Sequence, residues 1–145
     1  MSPQAFMTSP HLAFHHFELA VRRPDEAMVF LSILGYHVGK PIFDMGQNVH
    51  LAMCNHETGP AVEIIRPHET EGPIHGLTER HPSGVIYHVC YTTDNLCLTL
   101  AGLERAGTRV ICASPPKPAA FFGGRKVSFC NVAGIGLIEI LECAI

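Results

Sequence analysis

The segment HFELAVRRPDEAMVFLSILGYHV, beginning at His16, is matched by HVCYTTDNLCLTLAGLERAGTRV, beginning at His88. Each copy runs from a histidine through an apolar or β-branched strand and a capped helix to a glycine. In each the glycine, Gly35 or Gly107, falls 19 residues after the histidine. A second pair of segments repeats further on: AVEIIRP (61–67) resembles LIEILEC (137–143), setting Glu63 47 residues after the first histidine and Glu139 51 after the second. Four inserted residues in the second half account for the difference. Self-similarity of this kind marks a duplicated unit and constrains the architecture before any local pattern is read.

The local patterns then assign the elements. Phe14 to Val21 alternates, with His16, Glu18 and Ala20 on one face and Phe17, Leu19 and Val21 on the other, as a strand requires. Pro24 and Asp25 open a helix, proline suiting its first turn and the acidic residue its dipole. Ala27, Phe30, Leu31 and Leu34 keep the three-and-four spacing of a buried stripe, and Gly35 stops the helix. Strands are expected near Tyr36 to Phe43, Val49 to Cys54 and Ala61 to Arg66.

The second copy repeats the order. Val85 to Tyr91 reads as a strand, Asp94 as the cap of a helix with Leu96, Leu100 and Leu103 on one face, and further strands fall near Thr108 to Cys112, Lys126 to Asn131 and Gly136 to Leu141. The polar segment between the copies, punctuated by proline and glycine, is a connection with room for one helical turn around Leu77. The expectation is an α+β protein of two βαβββ modules, about 14–67 and 84–143, joined by 68–83 into a single domain over 1–145. One four-stranded module could hardly bury its own sheet.

With 145 residues, 47% of them apolar, the chain is long enough for one sizeable core. A formal charge of −3, with basic residues scattered, argues against a nucleic-acid partner. The first fourteen residues lack the charged and apolar regions of a signal peptide, and no run approaches the roughly 18 apolar residues that span a bilayer. A cytoplasmic protein with no membrane partner is expected. The six cysteines form no C-x-x-C pair and sit mostly in apolar runs, so buried reduced thiols are expected.

Duplicated modules usually pack about a pseudo-twofold axis, which brings repeated positions together. Here the repeated ionisable residues are His16 with His88 and Glu63 with Glu139. Two imidazoles and two carboxylates form a donor set suited to Zn²⁺, Ni²⁺, Co²⁺, Fe²⁺ or Mn²⁺. Neighbouring buried carboxylates are costly without a cation. A lone strand histidine is more often a hydrogen-bonded core residue, but four ionisable residues recurring in register reverse that reading. His15 points to the opposite face and reads as structural. His11, His56, His68, His75 and His81 read as solvated, and His37 as the start of an exposed strand. Glu18 and Glu142 read as rim or pairing charges. His50, within VHLAM, is a candidate for the same cleft.

These motifs resemble the vicinal-oxygen-chelate superfamily: the paired FHHFELAV and IYHVCYTTDNL, the helix-LGY and helix-AG turns, AVEIIRP, and the closing GLIEILE. The resemblance runs from about Phe14 to Glu142, and within the superfamily the chain is most similar to the methylmalonyl-CoA epimerase family, with glyoxalase I second. It implies a curved eight-stranded cup, a homodimer, a small acyl thioester or other carbonyl substrate, and His16, Glu63, His88 and Glu139 as metal ligands. It also implies proton transfer α to a carbonyl, with Glu139, Glu63 or His50 as catalytic groups. Three departures stand out. Glu63 lies where epimerases commonly carry Gln and glyoxalase I carries Glu. Leu51 stands where some epimerases place a second catalytic carboxylate, and Tyr87 where they have the first His of a pair. The alternatives are a glyoxalase-type lyase on hemithioacetals, an Fe²⁺ dioxygenase and a non-catalytic ligand-binding module of the resistance type.

Overall fold

The computed structural model describes residues 12–107, 109–113 and 115–143. The signal-peptide reading of the N-terminus, apart from its last residues, and the expectations for His11 and Thr108 lie outside them. The chain divides into two compact units, one of His16–Tyr87 and one of Met1–His15 with His88–Ile145. Their boundaries fall inside two strands, β1 (Ala13–Ala20) and β6 (Val85–Thr93).

In the unit His16–Tyr87, β1 leads through α1 (Pro24–Ile33) to β2 (His37–Val38), β3 (Ile42–Asp44), β4 (Val49–Asn55) and β5 (Ala61–Pro67). The strand order is β2-β4-β5-β1, with β3 also on β4. β5 is parallel to β1 and antiparallel to β4. The single strand expected near Tyr36 to Phe43 is thus two short ones, pairing with different ends of β4. Pro41 lies between them and has no N–H to give a ladder. The helix α2 (His75–Arg80) occupies the connection where a turn was expected around Leu77.

One face of this sheet packs under α1. Val21, Leu31, Ala52, Cys54, Val62 and Ile64 form its buried cluster, with Ala27 and Met28 against it. The stripe read from the sequence was rotated: Leu31 is buried, but Phe30 and Leu34 are 60% and 52% exposed. Several apolar residues crowd this helix, so spacing alone does not single out the inward set.

In the second unit β6 leads through α3 (Leu96–Arg105) to β7 (Val110–Cys112), β8 (Lys117–Pro118), β9 (Lys126–Val132) and β10 (Gly136–Glu142). The order is β6-β10-β9-β7, with β8 also on β9, and β10 is parallel to β6. The two units therefore share one pattern, βα followed by four strands, with short β3 and β8 added to the modules expected. Gly35 and Gly107 follow their helices at φ +94° and +71°, the left-handed conformation in which glycine carries no Cβ penalty. Leu96, Cys130, Val132, Ile138 and Ile140 form a core with Leu100 and Leu103 against it. The cap of α3 is Asn95, not Asp94: its side chain accepts from Leu98 N at 2.9 Å, while Glu142 accepts from Leu96 N at 2.8 Å.

This is a mixed, sheet-dominated α+β fold. Among the described residues no helix is long and apolar enough to cross a membrane.

Candidate metal centre

Pairing register decides what each strand residue faces. In the unit His16–Tyr87, the parallel ladder sets Glu18 opposite Glu63, and His16 is two residues before Glu18 on the same face of β1. His16 is 0% exposed and Glu63 5%, and His16 Nε2 lies 3.8 Å from Glu63 Oε2. The second unit repeats this plan. Glu139 is opposite Cys90 on β6, and His88, two residues before Cys90, sets its Nε2 2.7 Å from Glu139 Oε2. His88 and Glu139 are also buried, and the Phe129 ring meets His88 edge-on with centroids 5.4 Å apart.

Each unit thus presents a buried imidazole nitrogen facing a buried carboxylate oxygen. The donor set fits a borderline divalent cation. Two ligands each about 2.1 Å from one ion stand roughly 3 to 3.4 Å apart; the His16–Glu63 separation of 3.8 Å is wider than that, and the His88–Glu139 separation of 2.7 Å is a direct hydrogen bond.

His50 is separated from these groups. It pairs with Arg66 across β4 and β5, whereas Met53 pairs with Glu63, so His50 and Glu63 project from opposite faces of the sheet. The expected catalytic role for His50 is therefore corrected: a residue an odd number of positions from Met53 cannot share its face. His50 Nε2 is 2.8 Å from His68 Nδ1, and both rings stack near Phe43. His68, read as solvated, is thus half-buried in this stack. With Arg22, Asp25, Met28 and Arg66, His50 lines a cavity of about 370 Å³ on the α1 face. Its pKa is lowered by desolvation, with the Arg66 guanidinium and then His68 adding to the effect. Val49, Leu51 and Met53 of β4 share the Glu63 face, and Val49 and Leu51 are buried there.

Glu18, read from sequence as a rim or pairing charge, is instead 3% exposed. Burial raises the pKa of Tyr87 and the Glu18 carboxylate raises it further. The signal that marks Glu18 was present in the repeat, where Cys90 holds its place. His15 packs edge-on against Phe122, and burial, with Arg125 adding, lowers its pKa. Cys54, Cys90 and Cys130 are buried as expected, but Cys97 and Cys112 are exposed.

A sequence model of the glyoxalase/bleomycin resistance protein/dioxygenase superfamily matches residues 15–129. An ethylmalonyl-CoA/methylmalonyl-CoA epimerase of Cereibacter sphaeroides is 30% identical over 79% of this chain and 84% of its own length. Among solved structures, the methylmalonyl-CoA epimerase of Mycobacterium tuberculosis superposes with a TM-score of 0.74 at 17% identity, covering 91% of this chain and 88% of that one. A methylmalonyl-CoA epimerase in complex with methylmalonyl-CoA and ammonium superposes at 0.66 with 17% identity, over 90% of this chain and 94% of its own.

Proposed function

The chain belongs to the glyoxalase/bleomycin resistance protein/dioxygenase superfamily, as an enzyme of the vicinal-oxygen-chelate kind. From that premise we propose that it is a divalent-metal-dependent epimerase, moving the proton α to the carbonyl of a 2-substituted acyl thioester such as methylmalonyl-CoA. The observation that carries this reading is the twice-repeated buried pair of imidazole and carboxylate, His16 with Glu63 and His88 with Glu139. These four residues are the proposed ligands. The epimerase relatives support the substrate class, and a cytosolic homodimer is the proposed working form.

When bound, the ion supplies positive charge next to the substrate oxygens, which favours loss of the α-proton. The protein's part is to hold that charge and to move the proton. Glu139 is the proposed base: its carboxylate is buried beside His88, and a carboxylate that gives one oxygen to the ion has a second able to take a proton. Glu63 is the repeat-equivalent carboxylate and the proposed second proton-transfer group. His50 takes no part. The apolar Leu51 beside Glu63 adds no charge of its own.

Exchange of the α-proton of methylmalonyl-CoA in D₂O, followed by NMR with and without Co²⁺, tests the reading. Exchange that depends on Co²⁺ and is lost in Glu139→Ala is expected. Undiminished exchange in Glu139→Ala removes Glu139 from the base role, and no exchange in the wild type removes the epimerase. A second reading, isomerisation of a hemithioacetal, is favoured by the carboxylate at position 63. Turnover of hemithioacetals but not acyl thioesters selects it.

A further inference from the structure

The duplication offers an internal control for each site residue, and one position breaks it. His16 corresponds to His88 and Glu63 to Glu139, but between them Glu18 corresponds to Cys90. Both occupy the strand position directly opposite the closing glutamate, and both are buried, Glu18 to 3% exposure and Cys90 to 0%. The second unit fills this position with a buried thiol and brings no second carboxylate beside its glutamate. The first unit instead buries a carboxylate, one strand away from a second buried carboxylate. Adjacent buried carboxylates repel one another, and a cation facing both relieves that repulsion.

We infer that Glu18 is a donor to the bound divalent ion alongside His16 and Glu63, a third ligand from the unit His16–Tyr87. All three side chains project from the same face of β1 and β5. The addition raises the negative charge facing the ion. It directs the site toward hard or borderline cations with a preference for oxygen donors, such as Mn²⁺ and Co²⁺ over softer ions. This inference rests on the metal-dependent reading above.

Titration of the full-length, metal-free protein with CoCl₂, followed by calorimetry and visible absorption, tests it. Glu18→Gln is expected to weaken Co²⁺ binding at least tenfold and to alter the Co²⁺ absorption bands. The metal-free melting temperature should stay level or rise, because a buried charge has gone. Glu18→Cys installs the side chain that the second unit carries at this position. It is expected to keep the fold and to add a near-ultraviolet thiolate-to-Co²⁺ charge-transfer band absent from the wild type. Wild-type affinity in Glu18→Gln together with no new band in Glu18→Cys overturns the assignment of Glu18 and leaves the metal reading standing. A wild-type protein that binds no Co²⁺ overturns both.

Discussion

His88 Nε2 and Glu139 Oε2, from residues 51 positions apart in the chain, stand 2.7 Å from one another, closer than the equivalent His16 and Glu63 atoms at 3.8 Å. Both side chains are buried, so removal of one leaves the other in a low-dielectric setting built for the pair. His88→Ala is expected to destabilise the metal-free protein by about 1–3 kcal/mol, measured by urea unfolding. It is also expected to abolish the rise in melting temperature that Co²⁺ gives the wild type. A fully retained Co²⁺ response would remove His88 from the ligand set.

The two half-buried imidazoles of His15 and His50 predict acid sensitivity. Both have folded-state values below the ordinary 6.5, through desolvation first and then through Arg125 at His15 and Arg66 at His50. The unfolded chain therefore binds more protons just below pH 6.5. Their contribution is complete above that value and is lost as pH falls through it toward the folded-state values. Melting temperatures from pH 8 to 5 should fall less steeply in His15→Gln than in the wild type. A steeper fall in the variant would reverse the assigned sign.

Thiol reactivity should follow exposure and ionisation. Cys130 is pushed up to about 12, by burial first and then by Cys112, whose Sγ is 2.7 Å away; burial also raises Cys54. The thiolate is the reactive form. Iodoacetamide at pH 8 is expected to alkylate the exposed Cys97 and Cys112 in the native protein, and Cys54 and Cys130 only after denaturation. Peptide mass mapping of a time course reads this directly. Early alkylation of Cys130 would contradict it.

Ile140, next to Glu139 on β10, is 0% exposed and faces the core beneath α3. Ile140→Ala removes buried methyl groups and is expected to cost about 2–5 kcal/mol. Ile135, 71% exposed in the turn before β10, should tolerate alanine within about 0.5 kcal/mol. Denaturant midpoints separate the two, and equal effects would refute the packing assigned to β10.

The duplication, the order of strand and helix in each unit, the two helix-ending glycines and the candidates His16, His88, Glu63 and Glu139 were all legible in the amino-acid sequence. These follow from local chemistry and spacing: a period of two for strands, a positive φ that glycine takes without strain, and ionisable residues recurring at matched positions. Which set of α1 residues lies inward was not legible, because Phe30, Leu31, Ile33 and Leu34 all fit a helical period. Nor was the face of His50, since alternation defines two faces of a strand without saying which meets its neighbour's glutamate. Both depend on contacts between distant segments. The pairing of Met53 with Glu63 turns His50 away, and the pairing of Glu18 with Glu63 brings a carboxylate read as a rim charge into the buried centre. Register between distant strands is set by the packing of the whole sheet, and no window of local sequence contains it.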